Sequence, residues 1–211
     1  ELDLVREEEV VISMTGRGYI KRVPASAYRA QRRGGKGVNG MQTKEEDALL
    51  DIFACNSLAH LLFFSDKGKV YAERAFHIPE TGRSNKGTLI HTILNLEADE
   101  RITAVLPVDS FELDGHFVMA TKRGRIKRVT LDEFAAVRPS GLIAMGLEPD
   151  DYLGWVKYSD GDQDVIMVTE QGQSIRFHES EVRVMGRPAG GVHAIKLDDD
   201  AVAGMDVVDE N

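Results

Sequence analysis

The apolar and polar positions of this chain follow one arrangement four times. Each time an apolar run is followed by Thr or Ser, two further residues, Gly and a second short strand-like run, starting at Val10, His60, His116 and Asp164. Glycine adopts a left-handed backbone without steric cost, and the preceding hydroxyl can bond nearby backbone N–H groups. The pattern therefore predicts a β-hairpin with a three-residue loop. The loop glycines are Gly18, Gly68, Gly124 and Gly172.

Three more features recur after each hairpin glycine. A bulky apolar residue lies ten positions on, another glycine lies 17 or 19 positions on, and an acidic turn with an apolar run closes the unit. We expect the apolar residues to face inward. They are Tyr28, Ile78, Phe134 and Val182, and the second glycines are Gly37, Gly87, Gly141 and Gly191.

The repeat period fits a propeller blade. The hairpin glycines are 50, 56 and 48 residues apart, and each period holds about four short strands. A four-stranded antiparallel unit cannot bury both faces alone, so neighbouring units must cover it. We therefore predict an all-β chain that forms one repeat domain, residues 1–211, of four four-stranded blades. The blades are expected near residues 1–56, 57–110, 111–160 and 161–211.

Composition excludes several classes of protein. The chain has 211 residues, 42% of them hydrophobic, and contains neither an apolar run long enough for a membrane span nor a signal-peptide layout. We expect a soluble, cytoplasmic protein, since a single cysteine, Cys55, excludes an internal disulfide framework. Six isolated histidines predict no metal site. The glycines lack the spacing of a P-loop or a dinucleotide loop, so no cofactor is expected.

Charge is strongly segregated along the chain. The net charge is −9, yet the window from Val10 to Lys44 holds eight Lys or Arg residues and no acid. Within it, residues 31–37 read QRRGGKG, and the basic character of the equivalent region is strongest in this repeat and fades by the fourth. Arg and Lys among glycines suit phosphate recognition. Loops at equivalent positions of successive blades share one edge, so we expect a basic rim that holds bent duplex DNA.

Other interpretations of the same features remain open. The basic loop can be a solvated turn with no partner. The blades can form a protein-interaction propeller whose first loops dock an acidic partner. A propeller enzyme is the weakest alternative, because the repeats show no convergent acid, base or metal residues.

The box QRRGGKG after the segment SAYRA, in the first of several blade repeats, resembles the family of C-terminal domains of the DNA gyrase A protein. DERITAVLPV at residues 99–108 and the hairpin VMATKRGRIKR extend the resemblance over essentially the whole chain. The resemblance implies a β-pinwheel, a propeller-like disc whose blades exchange strands. The related protein of topoisomerase IV shares the blades but typically has a degenerate box, so an intact box favours gyrase over a domain that only bends DNA.

The resemblance also implies a function. The domain would wrap double-stranded DNA with positive handedness, without sequence specificity, as part of a bacterial, nucleoid-associated type II topoisomerase. That enzyme uses ATP to introduce negative supercoils, and the partners of the domain would be the N-terminal core of gyrase A and the gyrase B protein. The fragment alone would be catalytically inert. Relatives usually have five or six blades. With four blades, both a closed ring and an open arc are compatible with the resemblance.

The DNA-binding residues predicted from the box and from local charge form three groups. The box itself comprises Gln31, Arg32, Arg33, Gly34, Gly35, Lys36 and Gly37. Its basic neighbours are Arg17, Lys21, Arg22 and Arg29. The rim candidates of the next two repeats are Arg83, Lys86, Arg123, Arg125, Lys127 and Arg128.

Overall fold

The computed structural model describes residues 2–29 and 47–210, and within them the chain is built almost entirely of short antiparallel strands. The second, third and fourth repeats each contribute a hairpin, a very short strand and a closing strand of seven residues, and the described part of the first repeat contributes a hairpin and a closing strand of eight residues. The strands are β1 (Glu9–Thr15), β2 (Tyr19–Pro24), β3 (Leu49–Asn56), β4 (His60–Ser65), β5 (Lys69–Arg74), β6 (Thr88–Leu89), β7 (Ile102–Val108), β8 (His116–Thr121), β9 (Arg125–Thr130), β10 (Leu142–Ile143), β11 (Leu153–Ser159), β12 (Asp164–Thr169), β13 (Ser174–His178), β14 (Val192–His193) and β15 (Val202–Val208).

Helical structure is limited to single turns. One four-residue helix, α1 (Ser26–Arg29), follows β2. Short 3-10 turns cover Leu2–Leu4, Ala75–His77, Ile90–Thr92, Leu131–Phe134 and Glu179–Glu181.

The second, third and fourth repeats each pass a two-residue strand to the sheet of the preceding repeat. The first three sheets have the orders β3-β1-β2-β6, β7-β4-β5-β10 and β11-β8-β9-β14. In the first sheet, β6 pairs antiparallel with β2 through Tyr19↔Leu89 and Ile20↔Thr88. The strands β10 and β14 pair in the same way with β5 and β9. The blades therefore exchange strands, as the resemblance implied.

This exchange shifts the sheets relative to the repeats. The first three sheets are four-stranded, but each takes its fourth strand from the next repeat and so extends beyond the range assigned to its blade. The fourth sheet has three strands, β15-β12-β13, within the described part of the chain. The prediction of four-stranded blades therefore holds for three of the four sheets.

The hairpin glycines have the predicted backbone. Gly18, Gly68, Gly124 and Gly172 all have positive φ, between 75° and 91°. The loop hydroxyl also acts as expected, because Thr15, Thr121 and Thr169 accept a hydrogen bond from the backbone N–H four residues later.

The second glycines lie where the chain crosses to the neighbouring sheet. A Cβ on Gly87 would lie 2.4 Å from the Ile20 carbonyl oxygen, and a Cβ on Gly191 would lie 2.4 Å from that of Ile126. On Gly141 it would lie 2.5 Å from the Tyr71 ring. All three have positive φ. Glycine is therefore required there by contact between repeats, whereas the sequence had suggested an approach to phosphate. Gly37 lies outside the described residues.

The core lies between successive sheets, in three clusters of buried side chains. The closing strands of neighbouring sheets contact one another, β3 with β7, β7 with β11 and β11 with β15. They therefore line the side on which the sheets converge, and the exchanged strands lie at the outer edge. Of the residues expected to face inward, Ile78, Phe134 and Val182 are buried, whereas Tyr28 is half-buried.

We expect Gly191→Ala to destabilise the chain more than Gly172→Ala. Both positions have positive φ, which costs a non-glycine residue about 1–2 kcal/mol, but a Cβ at Gly172 meets nothing within 4 Å. At Gly191 the Cβ would also collide with the neighbouring sheet, which adds about 1–3 kcal/mol. Urea unfolding of both variants measures the difference. Equal midpoints would mean that strand exchange does not depend on the glycine.

Candidate nucleic-acid interface

The loops that precede the exchanged strands lie at the outer edge and share one turn. Asn85 N donates to Gly82 O at 3.1 Å, Gly141 N to Arg138 O at 3.0 Å, and Ala189 N to Gly186 O at 3.2 Å. We refer to the loops that contain these turns as the 82–86, 138–141 and 186–190 turns. The equivalent loop of the first repeat contains the box, residues 31–37, which lies outside the described residues.

Two lysines predicted to bind DNA are instead buried behind these turns. The Lys21 ammonium donates to Arg83 O at 2.6 Å and to Asn85 O at 3.1 Å. The Lys127 ammonium donates to Gly186 O at 3.1 Å and also to Arg187 O. Lys21 is 4% exposed and Lys127 is fully buried. Neither ammonium is exposed at the outer edge, because each points into the molecule and holds the turn of the following repeat.

The neighbouring arginines attach the same segments. Arg22 Nε donates to Ile78 O at 2.8 Å, and Arg128 Nε donates to Val182 O at 2.7 Å. Arg128 is 8% exposed. Arg22 is half-buried and also pairs with Glu80 at 3.4 Å. These two guanidinium groups therefore make contacts between repeats.

A buried carboxylate completes the attachment between the third and fourth repeats. Glu179 is fully buried and accepts hydrogen bonds from Arg128 Nη1 at 3.0 Å, Ser159 Oγ at 2.9 Å and Gln163 N at 3.0 Å. His116 Nδ1 lies 3.6 Å from the same carboxylate. Burial, with the Arg128 charge nearby, lowers the pKa of His116. This network is structural, and charge counting along the sequence did not predict it.

Arg83 and Lys86 lie at the outer edge against the first repeat. The Arg83 guanidinium carbon is 4.2 Å from the centre of the Tyr28 ring, and Lys86 Nζ is 4.0 Å from the centre of the Tyr19 ring. Cations over aromatic faces at these distances are attracted by the ring quadrupole. Both side chains therefore lie at the junction of the first two repeats. Arg83 packs on Tyr28, which belongs to the segment that leads into the box.

The hairpin loops present further cations. Arg17 and Arg123 are exposed, and carboxylates of the acidic turns accept from their backbone N–H groups, Asp47 at 2.9 Å and Asp151 at 3.0 Å. These acids therefore shape the turns, as predicted. Arg125 is half-buried, 3.3 Å from both Gly191 O and Glu148 Oε1. Arg29 ends α1, and its side chain lies outside the described residues.

Two outer-edge cations, Arg138 and Arg187, were not among the predicted DNA-binding residues. Arg138 is exposed. The Arg187 guanidinium bonds to Glu133 O at 2.7 Å and Ile143 O at 2.9 Å. Both lie in turns equivalent to the 82–86 turn, so the shared turn is the signal that could have found them.

One group within the described residues has the spacing of metal ligands. Ligand atoms of Asp162, His178 and Glu210 lie within 4.8 Å of one another. His178 Nε2 lies 2.9 Å from Asp162, and this hydrogen bond, with nearby carboxylates, raises the pKa of His178. A metal would have to displace that proton.

The helices of residues 2–29 and 47–210 are too short to cross a bilayer.

The family model described as "DNA gyrase C-terminal domain, beta-propeller" matches residues 9–56, 59–109, 115–155 and 163–209. The chain belongs to this family. Among curated relatives, the DNA gyrase A protein of Halalkalibacterium halodurans is 46% identical over 193 residues, which is 92% of this chain and 23% of the relative. That of Staphylococcus aureus strain MRSA252 is 41% identical over 211 residues, 99% of this chain and 24% of the relative. The chain thus spans about a quarter of these gyrase proteins.

Solved structures show the same architecture as this gyrase-family domain. The C-terminal domain of DNA topoisomerase IV matches with a TM-score of 0.81 and 29% identity, over 98% of this chain and 63% of that chain. The DNA gyrase A C-terminal domain matches with a TM-score of 0.71 and 25% identity, over 94% of this chain and 64% of that chain. The predicted family and β-pinwheel fold are therefore confirmed.

The buried ammonium of Lys127 predicts a pH dependence of stability. Burial, with the nearby Arg187 charge, lowers its pKa to about 8 from an ordinary value of 10.5. Between these values the native state binds fewer protons than the unfolded chain, so stability contributed by this group rises with pH through that window. The unfolding free energy of the wild type, relative to Lys127→Met, should therefore increase from pH about 8 to about 10.

Urea unfolding across this pH range measures the effect. Lys122 is exposed, so Lys122→Met is the matched control and should show no such trend. A difference between wild type and Lys127→Met that stays constant with pH would contradict the assignment.

Proposed function

We propose that this chain binds duplex DNA without sequence specificity and wraps it along its outer edge, as the C-terminal part of a gyrase A protein. The observation that supports this most directly is the set of equivalent turns at the outer edge, which present Arg83 and Lys86 next to the first repeat and Arg138 next to the second. Phosphate contacts of this kind position a duplex without reading bases. Membership of the gyrase family supports the same function.

The proposed DNA contacts differ from those expected from sequence. They retain the box, Arg17, Arg29, Arg83, Lys86, Arg123 and Arg125, and they add Arg138. Lys21, Arg22, Lys127 and Arg128 instead connect the repeats. The proposed parent enzyme, which uses ATP and the gyrase B protein to introduce negative supercoils, contains residues well beyond this chain.

A domain that bends DNA without chiral wrapping is the second candidate. It is favoured by the structural match to the C-terminal domain of topoisomerase IV, with a TM-score of 0.81. The two candidates bind the same ligand and differ in the path that the DNA follows.

Ligation of nicked plasmid in the presence of the 211-residue chain separates these candidates. After deproteinisation, topoisomer gels should show a positive shift in linking number. Neutralising Arg32, Arg33 and Lys36 to Gln should abolish the shift while circular dichroism stays unchanged. Binding without any shift would support the bending domain, and a triple variant that still wraps would contradict the role of the box.

Duplex affinity should fall steeply with salt, with a slope of about −0.9 in log–log units for each phosphate neutralised. The double variant Arg83→Gln, Lys86→Gln should reduce this slope by roughly 2. Lys157 is an exposed cation on β11, at the side where the sheets converge, so Lys157→Gln is the control and should leave the slope unchanged. Fluorescence anisotropy over a range of salt measures it. A flat salt dependence would exclude DNA binding through phosphates and favour a protein partner.

A further inference from the structure

The 82–86 turn has a backbone arrangement suited to one anion. Its carbonyl groups at Arg83 and Asn85 both point inward, to the buried Lys21 ammonium, at 2.6 and 3.1 Å. In a planar trans peptide the following N–H points opposite to the carbonyl. The N–H groups of Ser84 and Lys86 therefore point away from Lys21.

These two N–H groups are available to a ligand. Ser84 and Lys86 are exposed, and no described residue accepts a hydrogen bond from either backbone nitrogen. The Asn85 N–H between them donates to Gly82 O and closes the turn, which leaves the two outward N–H groups to face an anion, as backbone N–H groups do in anion-binding turns. The Lys86 ammonium, 4.0 Å from the centre of the Tyr19 ring, adds a positive charge beside them.

We propose that the 82–86 turn binds one phosphate group of duplex DNA through the N–H groups of Ser84 and Lys86 and the Lys86 ammonium, and that Lys21 is the positioning residue that orients this turn. The proposal rests on the proposed function, because it takes DNA as the ligand. The site is shared by two repeats: the first supplies Lys21 and Tyr19, and the second supplies the turn.

The sister turn of the fourth repeat provides an internal comparison. Lys127 holds the 186–190 turn through Gly186 O and Arg187 O, much as Lys21 holds the 82–86 turn. Counting from the turn glycines Gly82 and Gly186, Pro188 takes the place of Ser84. Proline has no N–H, so the sister turn lacks one of the two donors. Pro188 also shows that a turn of this kind accommodates a proline at the position equivalent to Ser84.

Ser84→Pro is the sharpest test, because it removes one donor and leaves every charge in place. Binding of the 211-residue chain to a random-sequence duplex should weaken roughly tenfold, as expected for loss of a hydrogen bond to a charged group. The salt slope should stay the same, since no cation is removed. In amide NMR spectra of the wild type, the Ser84 and Lys86 N–H signals should move downfield when DNA is added.

Lys21→Met and Lys127→Met form a matched pair that tests positioning. Both remove a buried ammonium that holds a turn. Only Lys21→Met should weaken DNA binding. It should also reduce the magnitude of the salt slope by up to about 0.9, because the Lys86 ammonium would no longer be held beside the phosphate. Lys127→Met should bind as the wild type does. Circular dichroism and thermal unfolding establish that each variant is folded.

Specific outcomes would overturn the inference. Ser84→Pro with wild-type affinity would exclude the N–H site, and equal losses in the two lysine variants would show that Lys21 has only a structural role. If Lys21→Met does not fold, Ser84→Pro and the amide shifts still decide the site. A wild type that fails to bind DNA would instead refute the proposed function, so the two failures are distinguishable.

Discussion

A strand of only two residues, passed from each repeat to the sheet before it, is the contact on which the rest of the structure depends. Such a strand makes too few hydrogen bonds to hold itself in place, so its flanks must supply the attachment. A glycine lets the chain approach the neighbouring sheet, as Gly87 does at the Ile20 carbonyl. A buried polar side chain then binds the preceding turn. In the first sheet this side chain is Lys21.

Burying an ammonium is costly unless hydrogen bonds compensate for lost water. Lys21 and Lys127 meet this cost with two backbone carbonyls each. The second sheet uses a different solution at the equivalent position. The Tyr71 hydroxyl bonds to the buried Glu100 at 2.8 Å, and its ring packs under Gly141. The same connection between repeats is thus made by either a cation or an aromatic ring.

The sequence was most informative where a local pattern determines the backbone. The hairpins, their left-handed glycines and the closing strands could be read from Gly18 and its equivalents, because turn chemistry is local. Strand exchange could not be read, since the two residues Thr88 and Leu89 are too few to show any periodicity. The resemblance supplied it instead.

The distribution of charge along the sequence did not indicate which cationic side chains are buried. Lys21 and Lys127 lie in the same basic stretches as exposed arginines, and counting charges treats them alike. The repeats do contain a corrective signal, because the equivalent positions are Tyr71 and Ile175, both bulky residues suited to a buried site. Aligning the repeats residue by residue before assigning a surface would have separated positioning lysines from rim cations.

Strand exchange also constrains how such a chain can evolve. Each receiving side chain is matched to the turn that it holds: Lys21 to carbonyls of the 82–86 turn, and Tyr71 to the glycine that admits its ring. Deleting one whole repeat would keep the donor and acceptor strands in order but would bring Lys21 against the turn that Tyr71 now holds. The repeats are therefore not interchangeable modules, and gain or loss of a blade requires compensating changes in its neighbour.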